Sequence, residues 1–454
     1  METLNLLRSF QLAGSKQLKI SCGLTDFPSE ILALADSLEI LDLSNNHLRA
    51  LPDEFERLKH LKIVFLTNND FEEIPSVLSQ CLGLKMVSFK SNQIATVGEH
   101  ALPPSIRWLI LTNNKIEKLP TSFGSMSHLQ KLMLAGNRLQ SLPEEMASCK
   151  NLELIRLSAN QLQVLPPWLF TLPRLSWLAY AGNPLCSADA THKPVLPDID
   201  WAELTLGEIL GQGASGVIYQ GLWTTKLAQK EVAIKIFKGE ITSDGLPTDE
   251  MAATLAAGCH ENFVNVLGKL SNAPEGKLGL VFSFIPPDYK NLGQPPDFDT
   301  CTRDTYSANA SFSLPMILRL TIGIASAAAH LHAKGIMHGD LYAHNILVDE
   351  TGHSLLGDFG AASFYDKSDV MIGQALERLE VRAFGCLLED MLDRCTLQEE
   401  SEHYKAVESL RCLQQDCFKQ VLSQRPRFTE ICERLTSVFR QVYGTAKQFD
   451  IQGE

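Results

Sequence analysis

One phrase returns seven times between Leu38 and Leu185, and nothing else in the sequence constrains the fold as much. It reads LEILDLSNNHLRALP from Leu38, LKIVFLTNNDFEEIP from Leu61, LKMVSFKSNQIATV from Leu84 and IRWLILTNNKIEKLP from Ile106. It continues as LQKLMLAGNRLQSLP from Leu129, LELIRLSANQLQVLP from Leu152 and LSWLAYAGNPL from Leu175. The steps are 23, 23, 22, 23, 23 and 23 residues. No single unit of this size can bury its own apolar edge, so neighbours must stack into a curved solenoid. Alternation at the start of each unit predicts a short strand with its apolar side chains turned inward. The asparagines (46, 69, 92, 114, 137, 160 and 183) turn inward, where an amide can satisfy otherwise unpaired backbone groups. The proline that follows begins the convex side.

The phrase LxxLxLxxNxLxxLP resembles the leucine-rich repeat. LKISCGLTDFP at 18–28 reads as a worn eighth copy and an N-terminal cap. The pattern stops at Leu185, giving a repeat domain over 1–185, a linker over 186–200 and a second domain over 201–445, with a tail over 446–454. Strand positions between the leucines face the concave surface. The central ones are Asp42, Phe65, Ser88, Ile110, Met133, Arg156 and Ala179, with Trp108 and Trp177 beside them. Large apolar groups there read as a protein-binding patch of Phe65, Trp108, Ile110, Met133 and Trp177, for a partner or substrate. The plainer alternative is that they pack on one another along the ladder.

Composition narrows the class. Of 454 residues, 45% are apolar and 20% charged, a soluble globular balance too long for one core. The N-terminus lacks a basic stretch followed by an apolar one, so no secretory signal is read. The most apolar helix-like stretch, LTIGIASAAAHLH, is too short for a bilayer, and no membrane insertion is expected. Eleven cysteines without a CxxC pair fit reduced thiols in the cytoplasm better than disulfides or zinc. Residues 1–200 hold 18 Lys and Arg against 20 Asp and Glu, and the rest hold 22 against 33. An acidic second half argues against a nucleic-acid partner.

That second half opens with LGEILGQGASGVIYQG at 206–221, in which Gly211, Gly213 and Gly216 form G-x-G-x-x-G. A dinucleotide loop leads into a helix. Here VIYQGLW and EVAIKIF are β-branched and aromatic, so the loop joins two strands and lets backbone amides approach phosphates. VAIK ends at Lys235, HGDLYAHN spans Asp340 and Asn345, and LLGDFGAAS holds Asp358-Phe359-Gly360. These motifs, in this order over 204 to about 440, resemble the protein kinase superfamily. The resemblance implies a two-lobed α+β domain behind the α/β solenoid, using ATP and Mg²⁺. It implies that Leu210, Gly211, Gln212, Gly213, Ala214, Ser215, Gly216, Ile218, Ala233, Lys235 and Leu347 bind ATP. It further implies that Glu250 orients Lys235 (Asp249 is the near alternative), that Asp340 accepts the hydroxyl proton, and that Asn345 and Asp358 hold the metal.

Four departures matter. Gly339 replaces the Arg that would pair with a phosphorylated activation loop, and Tyr342 stands where serine/threonine kinases carry Lys. Only 22 positions separate Asp358 from Glu380, which replaces the usual Asp of the central-helix motif. Ala375-Leu376-Glu377 is the nearest match to an APE triad, with Arg425 its expected partner. Ser363, Tyr365 and Ser368 then read as incidental hydroxyls. The arrangement looks like the cytosolic leucine-rich-repeat protein kinases of bacteria, of serine/threonine type. The alternatives are a pseudokinase scaffold that binds nucleotide and a partner without turnover, and a small-molecule kinase.

Overall fold

The computed structural model describes residues 2–9, 11–186, 196–213, 215–239, 241–396 and 401–444. The chain forms two compact units. One is Met1–Ser187 together with Ile241–Gly245, and the other is Ala188–Glu240 with Leu246–Glu454.

In the repeat unit, helix α1 (Glu2–Arg8) precedes eight parallel strands in sequence order: β1 (Gln17–Lys19), β2 (Ile40–Asp42), β3 (Ile63–Phe65), β4 (Met86–Ser88), β5 (Trp108–Ile110), β6 (Lys131–Met133), β7 (Leu154–Arg156) and β8 (Trp177–Ala179). The worn copy at 18–28 thus supplies an edge strand. Central strand residues Leu41, Val64, Val87, Leu109, Leu132, Ile155 and Leu178 are all fully buried. The asparagines form the expected ladder. Asn137 donates from Nδ2 to the carbonyls of Leu111 and Leu134, and its Oδ1 accepts from Ile116 N–H at 3.1 Å. Each prolyl step enters a 3-10 turn on the convex side, such as Asp53–Arg57 after Pro52.

In the second unit, six strands form one sheet in the order β10-β11-β12-β14-β13-β9. They are β9 (Asp198–Asp200), β10 (Leu204–Gln212), β11 (Gly216–Thr224), β12 (Gln229–Phe237), β13 (Val266–Ser271) and β14 (Gly279–Ser283). Residues 198–200, expected within the linker, instead pair in parallel with Lys269–Ser271, and Ile199 joins the sheet's apolar core. Helix α2 (Pro247–Ala257) lies between β12 and β13, with Pro247 in its first turn and Gly258 at φ +65 ending it.

The helical lobe comprises β15 (Lys290–Asn291), β16 (Phe312–Ser313), α3 (Leu314–Ala333), β17 (Ile336–Met337), β18 (Ile346–Val348), β19 (Ser354–Leu356), β20 (Ser363–Phe364), α4 (Val370–Asp393), β21 (Cys395–Thr396), α5 (Ser401–Cys417) and α6 (Phe428–Tyr443). Helix α3 begins well before the apolar stretch read from the sequence. Its 20 residues are long and apolar enough to cross a membrane by length and composition alone. They form the centre of the lobe, where Ile317, Leu318, Leu320, Ile324 and Leu331 are fully buried.

Candidate active site

The glycine-rich loop is the turn between β10 and β11. Gly213 N–H donates to the Gly216 carbonyl at 2.9 Å, and Lys238 Nζ donates to the Gly213 carbonyl at 2.8 Å. Gly211 pairs with Ile218 across the hairpin, and Leu210 is half exposed on the same strand. A Cβ on Gly216 would stand 2.5 Å from the Ile236 carbonyl oxygen, so glycine is required there by close backbone approach. Ala214 lies outside the described residues. Ala233 sits opposite Phe282, and Lys235 opposite Leu280. Leu347 is half buried in β18.

Lys235 Nζ donates to Glu250 Oε1, and both side chains are largely buried. Burial pushes the Glu250 carboxyl up from its ordinary value, Lys235 works against that, and the Asp358 carboxylate adds to the rise. The Ser215 hydroxyl of the loop also favours the charged carboxylate. Asp249, the alternative partner, stands outside the pair: among the described residues its buried Oδ2 has no hydrogen-bond partner, and burial raises its pKa.

The catalytic-loop residues follow β17. Asn345 Nδ2 donates to the Asp340 carbonyl at 3.0 Å and to Asp340 Oδ2 at 2.7 Å, bringing the two together. Asp358 is exposed at φ +52, and Phe359 is buried, edge-on to Phe263 and 5.1 Å from the His338 ring. His338 lies 3.0 Å from the Gly357 carbonyl through Nε2, tying the loop to the Asp358 motif. Asn345 and Asp358 offer hard oxygens, which suit a divalent cation that also takes phosphate oxygens from a nucleotide.

Glu380 stands on α4 where the resembled family usually carries Asp. It is fully buried on α4 and accepts from His338 N–H at 3.2 Å and Gly339 N–H at 2.6 Å, with His332 Nε2 at 2.8 Å. Burial opposes its charge, yet His332, His338 and the Gly339 amide together hold its pKa below the ordinary value. Gly339 has φ +73, a backbone state that L side chains adopt only at a cost, which accounts for glycine where kinases carry Arg.

Sequence reading missed Asp304, in the irregular stretch after β15. Its Oδ2 accepts from Ala343 N–H and its Oδ1 lies on His344 Nδ1, both at 2.6 Å, so it pins the catalytic loop from outside the motifs. Burial disfavours the His344 imidazolium, but Asp304 and the Asp340 and Asp358 carboxylates outweigh it and raise its pKa. An aspartate in a proline- and aspartate-rich loop carries no spacing signal that could have singled it out.

Two expectations are corrected. Ala375–Glu377 lies inside the continuous helix α4, and Glu377 pairs with Arg427 Nε at 2.7 Å and accepts from Phe428 N–H. Arg425 instead donates to the carbonyls of Lys419 and Arg378. The Tyr365 hydroxyl, read as no switch, has a structural contact: it is 3.0 Å from both His332 Nδ1 and the His332 carbonyl oxygen. Of the concave patch, Phe65, Trp108 and Ile110 remain partly exposed, but Met133 and Trp177 are only 7% and 1% exposed and present no open surface.

Comparison with known proteins agrees with both halves. Residues 204–384 match the protein tyrosine and serine/threonine kinase family, and residues 37–58, 104–162 and 127–185 match leucine-rich repeat families. The chain is 24% identical over 317 residues to fibroblast growth factor receptor 1 of Pleurodeles waltl, covering 59% of this chain and 39% of that one. It is 25% identical over 298 residues to the serine/threonine-protein kinase STY46 of Arabidopsis thaliana, covering 56% and 48%. The probable serine/threonine-protein kinase gdt4 of Dictyostelium discoideum is 28% identical over 169 residues, 36% of this chain and 9% of the relative. The chain thus spans between about a tenth and about half of the length of these relatives. All three are eukaryotic, so the likeness to bacterial proteins finds no support in them. A protein kinase domain lies behind leucine-rich repeats in this chain.

Proposed function

We propose that the chain is an ATP- and Mg²⁺-dependent protein kinase of serine/threonine type, acting in the cytoplasm. Its repeats recruit a protein partner or substrate through the open part of the concave face, Phe65, Trp108 and Ile110, with no role for nucleic acid or membrane insertion. The formed pair of Lys235 and Glu250 carries the reading, because it is the arrangement that holds a lysine against nucleotide phosphates. Asp340 receives the proton of the attacking hydroxyl, and Asn345, bonded to it, keeps its carboxylate oriented. Asn345 and Asp358 would hold Mg²⁺, which when bound would supply positive charge beside the transferred group.

A second reading, a nucleotide-binding scaffold, draws support from the segment between Gly360 and α4. Residues 361–369 are all that separates them, leaving little chain to seat a peptide. Incubation of the purified chain with Mg²⁺ and ATP decides between the two. Phosphoryl transfer to protein that disappears in Asp340→Asn supports the kinase. ATP binding without turnover favours the scaffold, and transfer only to small hydroxyl compounds favours a small-molecule kinase.

A further inference from the structure

Between Asp42 and Ala179 the central row of the concave face carries one cation, Arg156. It is only 2% exposed, and a buried guanidinium requires a partner. Its Nε donates to Asp244 Oδ1 at 2.7 Å. Asp244 lies in Ile241–Gly245, a segment that belongs to the compact repeat unit although in sequence it runs between Lys235 and Glu250.

The segment is a built turn. Thr242 N–H donates to the Gly245 carbonyl at 2.9 Å, and the Thr242 hydroxyl accepts from the amides of Asp244 and Gly245 at 3.2 Å each. Ser243 Oγ donates to Asp244 Oδ2 at 2.9 Å, which orients the carboxylate toward Arg156. Thr242 is only 6% exposed.

The repeats are shaped to receive it. The residue before each ladder asparagine has positive φ: Asn45, Asn68, Ser91, Asn113, Gly136, Ala159 and Gly182. The first four carry polar side chains, and the last three carry a methyl or nothing. A Cβ on Gly136 would stand 2.4 Å from Ile241 Cδ1. Repeats five to seven are thus trimmed on the ridge where Ile241 seats.

The next residue after this turn is Leu246, the N-cap of α2, which makes no side-chain cap bond. The amides of Asp249 and Glu250 donate to the Leu246 carbonyl at 3.0 and 3.2 Å, so Glu250 belongs to the helix's first turn. First turns fray when what fixes them is released. We propose that the C-terminal repeats bind Ile241–Gly245 as an internal ligand, and so fix the start of α2 and hold Glu250 against Lys235. A partner competing for this part of the concave face would loosen Glu250, which makes the repeats a control element acting through the chain itself. Only this last step rests on the kinase reading.

Two variants of the full chain test it. Gly136→Asn installs the residue that repeats one, two and four carry at this position, so it blocks the Ile241 seat at a site that accepts it. Asp244→Ala removes the anion. Each is expected to speed hydrogen exchange between residues 242 and 250 by about tenfold or more. Each is also expected to weaken Mg²⁺–ATP binding about tenfold, while the repeat strands keep their protection. In an Arg156→Met background, Asp244→Ala should add nothing further. Unchanged exchange at 242–250 overturns the docking. Faster exchange with unchanged nucleotide affinity overturns the link to Glu250. A wild-type chain that binds ATP without turnover sinks the kinase proposal, and exchange and nucleotide affinity still decide this one.

Discussion

Replacing Glu380 by Gln probes the tie between helix α4 and the catalytic loop with the least change of shape. The glutamate is fully buried and meets three groups: the amides of His338 and Gly339 on its two oxygens, and His332 Nε2 on Oε2. Glutamine keeps one acceptor oxygen and turns the other position into a donor. At least one buried donor then faces an NH₂ group, at a cost of ~1–3 kcal/mol, and the surviving bonds lose their charge assistance, about 1 kcal/mol more. The expected loss is about 3 kcal/mol, which for a unit of this size lowers its melting temperature by roughly 6–12 °C. Calorimetry on the full chain reads it, with the repeat unit's transition as internal reference. The effect also has a pH signature. The folded-state pKa of Glu380 lies below the ordinary 4.5, so its stabilisation is complete above that value and drains as pH falls through the folded pKa. The gap between wild type and variant should therefore narrow on acidification. A kinase-unit transition within about 2 °C of wild type at neutral pH refutes the account.

Lys235→Met removes the ammonium held by Glu250; phosphoryl transfer should fall by orders of magnitude in a rate assay, with adenosine affinity much less affected. Gly339→Arg restores the family's residue at φ +73 and should destabilise the kinase unit by ~1–2 kcal/mol in urea unfolding, without raising the rate. Asn137→Ala strands the Ile116 amide, whereas the Leu111 and Leu134 carbonyls keep their bonds from Asn114 and Asn160, and it should cost the repeat transition ~1–3 kcal/mol while leaving the kinase transition in place. His344 has a raised pKa from Asp304, so the stability of that pair is present below the ordinary histidine value and lost as pH rises through the folded one. Asp304→Asn should flatten that dependence in a thermal scan across neutral pH.

Periodicity determined the eight-stranded solenoid and glycine placement the β-hairpin beneath the glycine loop, while the resemblance of short motifs to the protein kinase superfamily implied the candidacy of Lys235, Glu250, Asp340, Asn345 and Asp358. Each of those signals is local: a period of 23, a required close approach at Gly216, a short motif on a turn. What tertiary structure decided are meetings between residues far apart in sequence. Asp304 reaches Ala343 and His344, Tyr365 reaches His332, Arg427 takes Glu377, and residues 198–200 leave the linker to pair with Lys269–Ser271. The concave face shows the division most plainly. Spacing placed Met133 and Arg156 on it, but only the folded chain shows that they are buried and that Asp244 answers Arg156. Sequence spacing fixes which way a side chain points within its own element, whereas what covers it depends on how distant segments return, and a buried charge is settled only by that return.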